Sequence, residues 1–374
     1  MKFLKTASIF FLLTLVLISI TLRVRYGGGE YYPDVSTPPL FGKDSLQIVF
    51  EYDEPLGNIA VSKNNRLFFT VHPESWPDKN KVMEVIDGKA CPYPNQEFQS
   101  TQYQTVLGIT IDNQNRLWVV DHGFHGFGIA KIMAFDLTHN KLVYTHIFKS
   151  NIAQKGSFFN DLQVSSDGRY VYIADFSFIR KNPSLVVHDT YTQLSKRHLE
   201  NHYSTTAKDY IIQTEEKDMI FFGLVTLKPS IDGIVVDREG EYVYYAAMAH
   251  DKLFRVSTSF LHDFSRDDIW KNIEEIGTKP LSDGLSIDTL HNIYLADVEH
   301  NGIARLSPDG KLTTIIKDKR IRWADGLSFG GNGYLYFNDS AMPHQMLQSQ
   351  SHIKENSPYT IFRIKPEWGG IPGR

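Results

Sequence analysis

The chain has 374 residues, 42% hydrophobic and 22% charged, with a formal net charge of -4. These proportions belong to a folded globular protein and exclude bulk disorder; without any Lys/Arg run they also exclude a nucleic-acid backbone as partner. Cys91 is the one cysteine, so no intramolecular disulfide forms and a thiolate metal site is excluded as a main feature.

In chain order, Lys2 and Lys5 precede an apolar run from Ala7 to Leu22, closed by Arg23 and Arg25. At roughly 16 residues the run is long for a signal-peptide core and just short of a full membrane span. Residues 1–25 are therefore read as an export signal, cleaved or kept as an anchor, and the protein as extracellular or periplasmic. A buried helix is the competing reading, but no charged residue interrupts the run to give such a helix a strongly solvated face. Residues 26–45, rich in Gly, Pro and Tyr, read as an extended tether.

From residue 46 to 374 one unit recurs: a β-rich run, a turn with Asp, Asn or Gly, and a second β-rich run. It is plausible from Gly57 to Val71 and plain at Leu107–Asp121, Asn160–Asp175, Asp232–Ala246, Asp283–Asp297 and Asp325–Asn338. β-branched and aromatic residues alternating across a turn signal a hairpin, and recurrence every roughly 40–70 residues signals propeller blades. Third strands are visible at Lys131–Phe135, Ser184–His188, Lys252–Val256 and Gly302–Leu306, and a short helix is expected near Ser259–Asn272. The fold class is thus all-β: a six-bladed β-propeller of four-stranded antiparallel blades, closed because a lone blade would leave its edges and faces bare.

Antiparallel pairing places the start of each first strand and the end of each second strand on one face of the disc. Asn160, Asp161, Asp232, Asp283 and Asp325 should gather there, with Asp121 and the other strand-end carboxylates nearby. Clustered carboxylates repel and raise one another's pKa unless a cation neutralises them. Asn160 and Asp232 are the candidate metal ligands, for a divalent cation such as calcium, magnesium or zinc; oxygen donors favour the first two. The competing reading makes each Asp-Gly pair a turn cap without metal. His122 and His125, in Asp121-His122-Gly123-Phe124-His125-Gly126, are candidate acid–base residues together with Asp283. Asp121, Asp161, His250, His300 and Asp325 are candidate ligand-binding residues, the histidines forming a conceivable ring around the mouth. Trp118 reads as core between blades; Trp323, beside Asp325, is ambiguous.

Several segments, in order, resemble the yellow / major royal jelly protein family: Arg66–Val71, Pro92-Tyr93-Pro94, Gly108 through Arg116-Leu117-Trp118-Val119-Val120-Asp121, Phe159-Asn160-Asp161, Leu253–Thr258 and Trp323-Ala324-Asp325-Gly326. The resemblance covers about residues 47–365. It implies an exported propeller that binds a small molecule, such as an amine, or a tautomerase acting on catechol-derived indoles. Animal members carry paired cysteines, so this chain looks like a bacterial-type member. More distantly the chain resembles the gluconolactonase / regucalcin propellers, which implies a metal-dependent hydrolase of lactones or related esters. There Asn160 and Asp232 match two metal ligands, whereas Gly57-Asn58 and Leu107-Gly108 replace the other two. The partner expected on either resemblance is a small molecule, with membrane contact only through an uncleaved leader. A protein-interaction scaffold is the remaining reading that the fold permits.

Overall fold

The computed structural model describes the backbone from Lys2 to Arg374 and the side chains from Thr6 onward. Six four-stranded antiparallel sheets are arranged as the blades of a propeller. Their inner strands are Leu56–Val61, Val106–Ile111, Phe159–Val164, Ile231–Val236, Ser282–Ile287 and Ala324–Phe329. Each packs on the next, and the sixth meets the first, so the ring is closed. The expected third strands lie at Lys131–Asp136, Ser184–Asp189, Lys252–Ser257 and Gly302–Leu306. The expected helix near 259–272 is two short pieces, an α-helical turn at Thr258–Leu261 and a 3-10 turn at Ile269–Asn272.

The ring is latched by a strand from the other end of the chain. Gln47–Tyr52 adds to Tyr359–Ile364 as the outermost strand of blade six, with Gln47 opposite Arg363 and Tyr52 opposite Tyr359. Between each neighbouring pair of blades lies a hydrophobic cluster. Trp118 sits fully buried in the cluster between blades two and three, its indole N–H donating to Asp112 Oδ2 at 2.7 Å. Burying one such side chain stabilises the fold by about 1.5–3 kcal/mol, and the polar N–H is not left orphaned.

The local feature that builds the site recurs in all six inner strands. Pairing with the second strand slips by a β-bulge after Leu56, Val106, Phe159, Ile231, Ser282 and Ala324. A bulge inserts an unpaired residue and re-aims its side chain. The two bulge residues are Gly57-Asn58, Leu107-Gly108, Asn160-Asp161, Asp232-Gly233, Asp283-Gly284 and Asp325-Gly326. Glycine follows for a packing reason. A Cβ on Gly108 would lie 2.2 Å from the Asn160 carbonyl oxygen, and one on Gly284 2.1 Å from that of Asp325. The expectation that Asp-Gly pairs cap turns is therefore corrected: they are bulges where adjacent inner strands nearly touch at the axis.

Below the bulges the bore is plugged. Gly373 pairs with Ile111 and Phe329, and the Arg374 guanidinium donates to the carbonyls of Val164, Val236 and Asp237. At the chain's start, Lys2–Tyr26 is one α-helix whose apolar window is not buried, which removes the buried-helix alternative. The expected tether is shorter than 26–45, since Tyr26 ends the helix and Lys43–Ser45 is a 3-10 turn, and it is pinned: Glu30–Tyr31 pairs with Tyr210–Ile211, and Leu40 and Phe41 bond to Thr314 and Ile315 of blade five.

Candidate functional site

In blades two to six the first bulge residue lines a cavity of about 390 Å³ at the centre of one face, whereas blade one has Gly57 at that position. Its floor is Leu107, Asn160, Asp232, Asp283 and Asp325, and its walls are mostly apolar, including Phe158, Phe176, Phe178, Phe221, Met248 and Met342. The second bulge residues face the bore beneath. There Asn58 donates to Asp161 Oδ1 at 2.5 Å, beside a space of about 10 Å³, room for about one water.

The floor is a set of buried carboxylates in contact or close to it. Asn160 donates to Asp232, and the Trp323 indole N–H donates to Asp283 Oδ2 at 2.7 Å. Trp323 is thus a positioning group for a floor carboxylate. His72 Nε2 stands 3.7 Å from Asp325 Oδ2. Burial first, and then mutual repulsion, pushes these carboxyls up. Asp161 is raised to about 8 by burial and the charge of Asp283, against the Asn58 hydrogen bond. Burial raises Asp283 to about 7, against its hydrogen bonds to Trp323 and Asp232 and the charge of Lys279. Burial and the neighbouring aspartates hold Asp232 and Asp325 well above the usual carboxylate range. The buried cation nearby, Lys279, is itself pushed down to about 7 by burial, and its ammonium donates to the Pro280 carbonyl at 3.0 Å. Burial and crowding therefore bias these carboxyls toward their protonated form, a bias that a bound cation would oppose.

The expected site residues separate into two groups. Asn160, Asp232, Asp283 and Asp325 share the cavity floor, and Asp161 lies directly beneath. Asp121 does not line the cavity. Its carboxylate accepts the backbone N–H groups of Gln104, Thr105 and Gly123, tying down the loop that enters blade two. Asp175 and Asp339 do the same for Phe158 and Trp323, so strand-end aspartates are scaffold here. The histidine ring is also corrected. His250 is buried, with Nδ1 accepting from Lys252 N–H, and burial lowers it to about 4. His300 is held between Asp297 and Asp34, at 2.9 and 3.3 Å, and its bond to Asp297 raises it. Neither lines the mouth. His122 is buried behind Phe158, ring centroids 4.2 Å apart, and burial drives it well below its usual range. Of the four, His125 alone reaches the cavity, with Nε2 2.9 Å from Glu74 Oε1.

Sequence reasoning missed His72, Glu74 and Lys279. His72 follows the second strand of blade one at the position His122 takes in blade two, and that repeat was the available signal. Among the described residues, one further group could gather a metal, Asp237, Glu239 and His291. It lies at the opposite face, where Asp237 and Glu239 in the first turn of blade four meet His291 in the first turn of blade five, and the Asp237 carboxylate there accepts the N–H groups of Glu241 and Tyr242.

The donors on the floor are carboxylate and amide oxygens, which fit a hard divalent cation rather than a thiolate or imidazole metal. They equally fit an organic cation, since the walls above supply apolar surface.

A closed ring of six four-stranded blades, here with a carboxylate-floored axial mouth, defines the class: a six-bladed β-propeller. Solved structures share this fold. A luciferin-regenerating enzyme matches with a TM-score of 0.56 at 12% identity, covering 88% of this chain and 97% of its own. A gluconolactonase from Xanthomonas campestris matches at 0.55 and 14%, covering 91% and 98%. A calcium-binding regucalcin from Agrobacterium tumefaciens matches at 0.53 and 11%, covering 87% and 97%. At such identities the likeness is one of fold. No curated protein matches the sequence. The family model for major royal jelly protein matches residues 104–360, well over half of the chain, and the protein belongs to that family.

Proposed function

We propose that this major royal jelly family member is exported and binds, at its axial mouth, a small molecule with an apolar body and a cationic head. One observation carries the reading: Asp232, Asp283 and Asp325 are buried together, above Asp161, at the base of an apolar-walled cavity. Buried carboxylates without a matched cation are costly, and an ammonium group would neutralise them while its hydrocarbon part covers the phenylalanine and methionine walls. The test is calorimetric titration with an arylethylamine and with the alcohol of the same skeleton. The amine is expected to bind and the alcohol to bind at least tenfold more weakly. Asp232→Asn should weaken the amine at least tenfold, about 1.4 kcal/mol. Equal affinity for amine and alcohol would sink the proposal.

A second reading is favoured by the same oxygen set. Asn160, Asp232, Asp283 and Asp325 would hold a divalent cation, with Trp323 fixing Asp283 and Lys279 supplying charge balance. Such an ion polarises an ester carbonyl and lowers the pKa of its water, the chemistry of lactone hydrolysis. Elemental analysis of the purified protein and lactone turnover by wild type and Asp232→Ala decide it. The tautomerase reading retains His125, paired with Glu74 in the cavity, and loses His122 to the loop behind Phe158.

A further inference from the structure

The mouth does not open into a symmetric rim. Leu22, from the last turns of the N-terminal helix, is part of its wall. Along that helix Ser19, Leu22 and Tyr26 are half-buried, one stripe of a surface that is otherwise exposed from Thr6 onward. The end of the helix is fastened to the mouth face. Tyr26 donates its hydroxyl to the Ile179 carbonyl at 2.8 Å and stacks on Phe178 at 5.4 Å, and Thr226 donates to the Gly28 carbonyl at 2.9 Å. Thr6–Tyr26 is 21 residues with a mean hydropathy of 2.3 over its most apolar window. At about 1.5 Å per residue it reaches ~30 Å, the thickness of a bilayer's hydrocarbon core.

Two further observations lie on the same face. The loops leaving the second strands and entering the first ones expose Trp76, Phe124, Phe127, Ile179, Phe222 and Leu347. Phe222 is 84% exposed, and Phe222, Ile179 and Leu347 all belong to the mouth wall. Beside the helix end is a second cavity of about 370 Å³, lined in part by Arg25, Lys181, Lys208 and Lys228. Lys208 and Lys228 pair with Asp251 and Asp209. Arg25 donates to the carbonyl of Arg180, and Lys181 lies 4.8 Å from the Tyr26 ring centroid, and among the described residues neither pairs with a carboxylate. An apolar rim flanked at the helix end by two cations without a carboxylate partner, with a membrane-length helix rising from its edge, is the chemistry of an anionic lipid surface.

We infer that the helix is retained as an anchor and lays the mouth face on an anionic bilayer, so that the mouth exchanges its ligand with the lipid phase rather than with water. The docking stands on the helix, the rim and the cations. The entry route alone rests on the mouth being the binding site. Exposed aromatic side chains then sit among the acyl chains and headgroups, Arg25 and Lys181 meet lipid phosphate, and the carboxylate floor receives the cationic end of an amphiphile entering body-last.

The test uses the full chain in phosphatidylcholine–phosphatidylglycerol vesicles, with Cys91→Ser as background and a nitroxide placed by Phe222→Cys or, on the opposite face, by Glu239→Cys. The label at 222 is expected to collide with oxygen and be shielded from an aqueous nickel chelate, and the label at 239 to show the reverse. Arg25→Glu combined with Lys181→Glu should increase nickel access at 222 severalfold in anionic vesicles and leave 239 unchanged. Equal nickel access at 222 and 239 overturns the docking, as does an intact mass showing that the mature chain begins beyond Tyr26. With amine binding read on the unlabelled wild-type chain, binding alongside a water-exposed label refutes the docking and leaves the proposed function standing; a shielded label without wild-type amine binding does the opposite.

Discussion

Replacing Asp161 by Asn tests the electrostatic account of the axis without touching the cavity floor. Asp161 is pushed from 3.8 to about 8. A raised carboxyl means that the folded chain keeps a proton that the unfolded chain releases. Between about pH 4 and pH 8 the folded state is therefore progressively penalised, and the stability present below the unfolded value is lost as pH rises toward the folded one. About 4 units at ~1.4 kcal/mol each set a ceiling near 6 kcal/mol. Asp161 retains partial exposure, and solvent screening reduces the expected effect to about 2–3 kcal/mol. Asn keeps an oxygen to accept the Asn58 amide, so the local geometry has a partner in the variant. Urea unfolding in chelator, followed by tryptophan fluorescence at pH 5 and pH 8, measures the difference. Wild type should lose stability from pH 5 to pH 8, and Asp161→Asn should lose less by that amount. Parallel pH profiles for the two proteins would refute the claim that buried carboxylates at the axis store this energy.

Two other substitutions probe what holds the site in place. Gly284→Ala puts a methyl against the Asp325 carbonyl oxygen and should cost about 1–3 kcal/mol or more, read as a lowered Tm together with weakened ligand binding, whereas Gly88→Ala at an open turn should leave binding intact. Arg197→Met removes the partner of buried Asp175, 2.6 Å away, and should cost about 3–5 kcal/mol by denaturant unfolding; a loss under 1 kcal/mol would show that the pair is not what holds the blade-three entry loop.

Much of the fold was legible because the hairpin repeat is local: Leu107–Asp121 and Asp283–Asp297 announce their strands within fifteen residues. The acidic floor was legible for the same reason, since Asp232, Asp283 and Asp325 recur at one place in the repeat. What was not legible depends on contacts distant in sequence. Nothing in Gln47–Tyr52 says that it pairs with residues near 360. Nothing local distinguishes Asp232, aimed at the axis by a bulge, from Asp121, turned back onto loop N–H groups. His250 and His300 follow their second strands by three residues, much as His125 follows its own by four, but they are held away from the mouth by Lys252 N–H and Asp297.

The latch in blade six also dictates an order of events. Gln47 and Arg363 are partners separated by nearly the whole propeller, so the first blade strand to be synthesised is the last to find its place. Until residues 359–364 arrive, Gln47–Tyr52 has no strand partner and Leu335–Asp339 keeps a bare edge, and each such edge is a template for another chain. Pairing of such distant segments is slow. The exposure time of those edges, more than the strength of the finished ring, is where this protein is most vulnerable to misassembly.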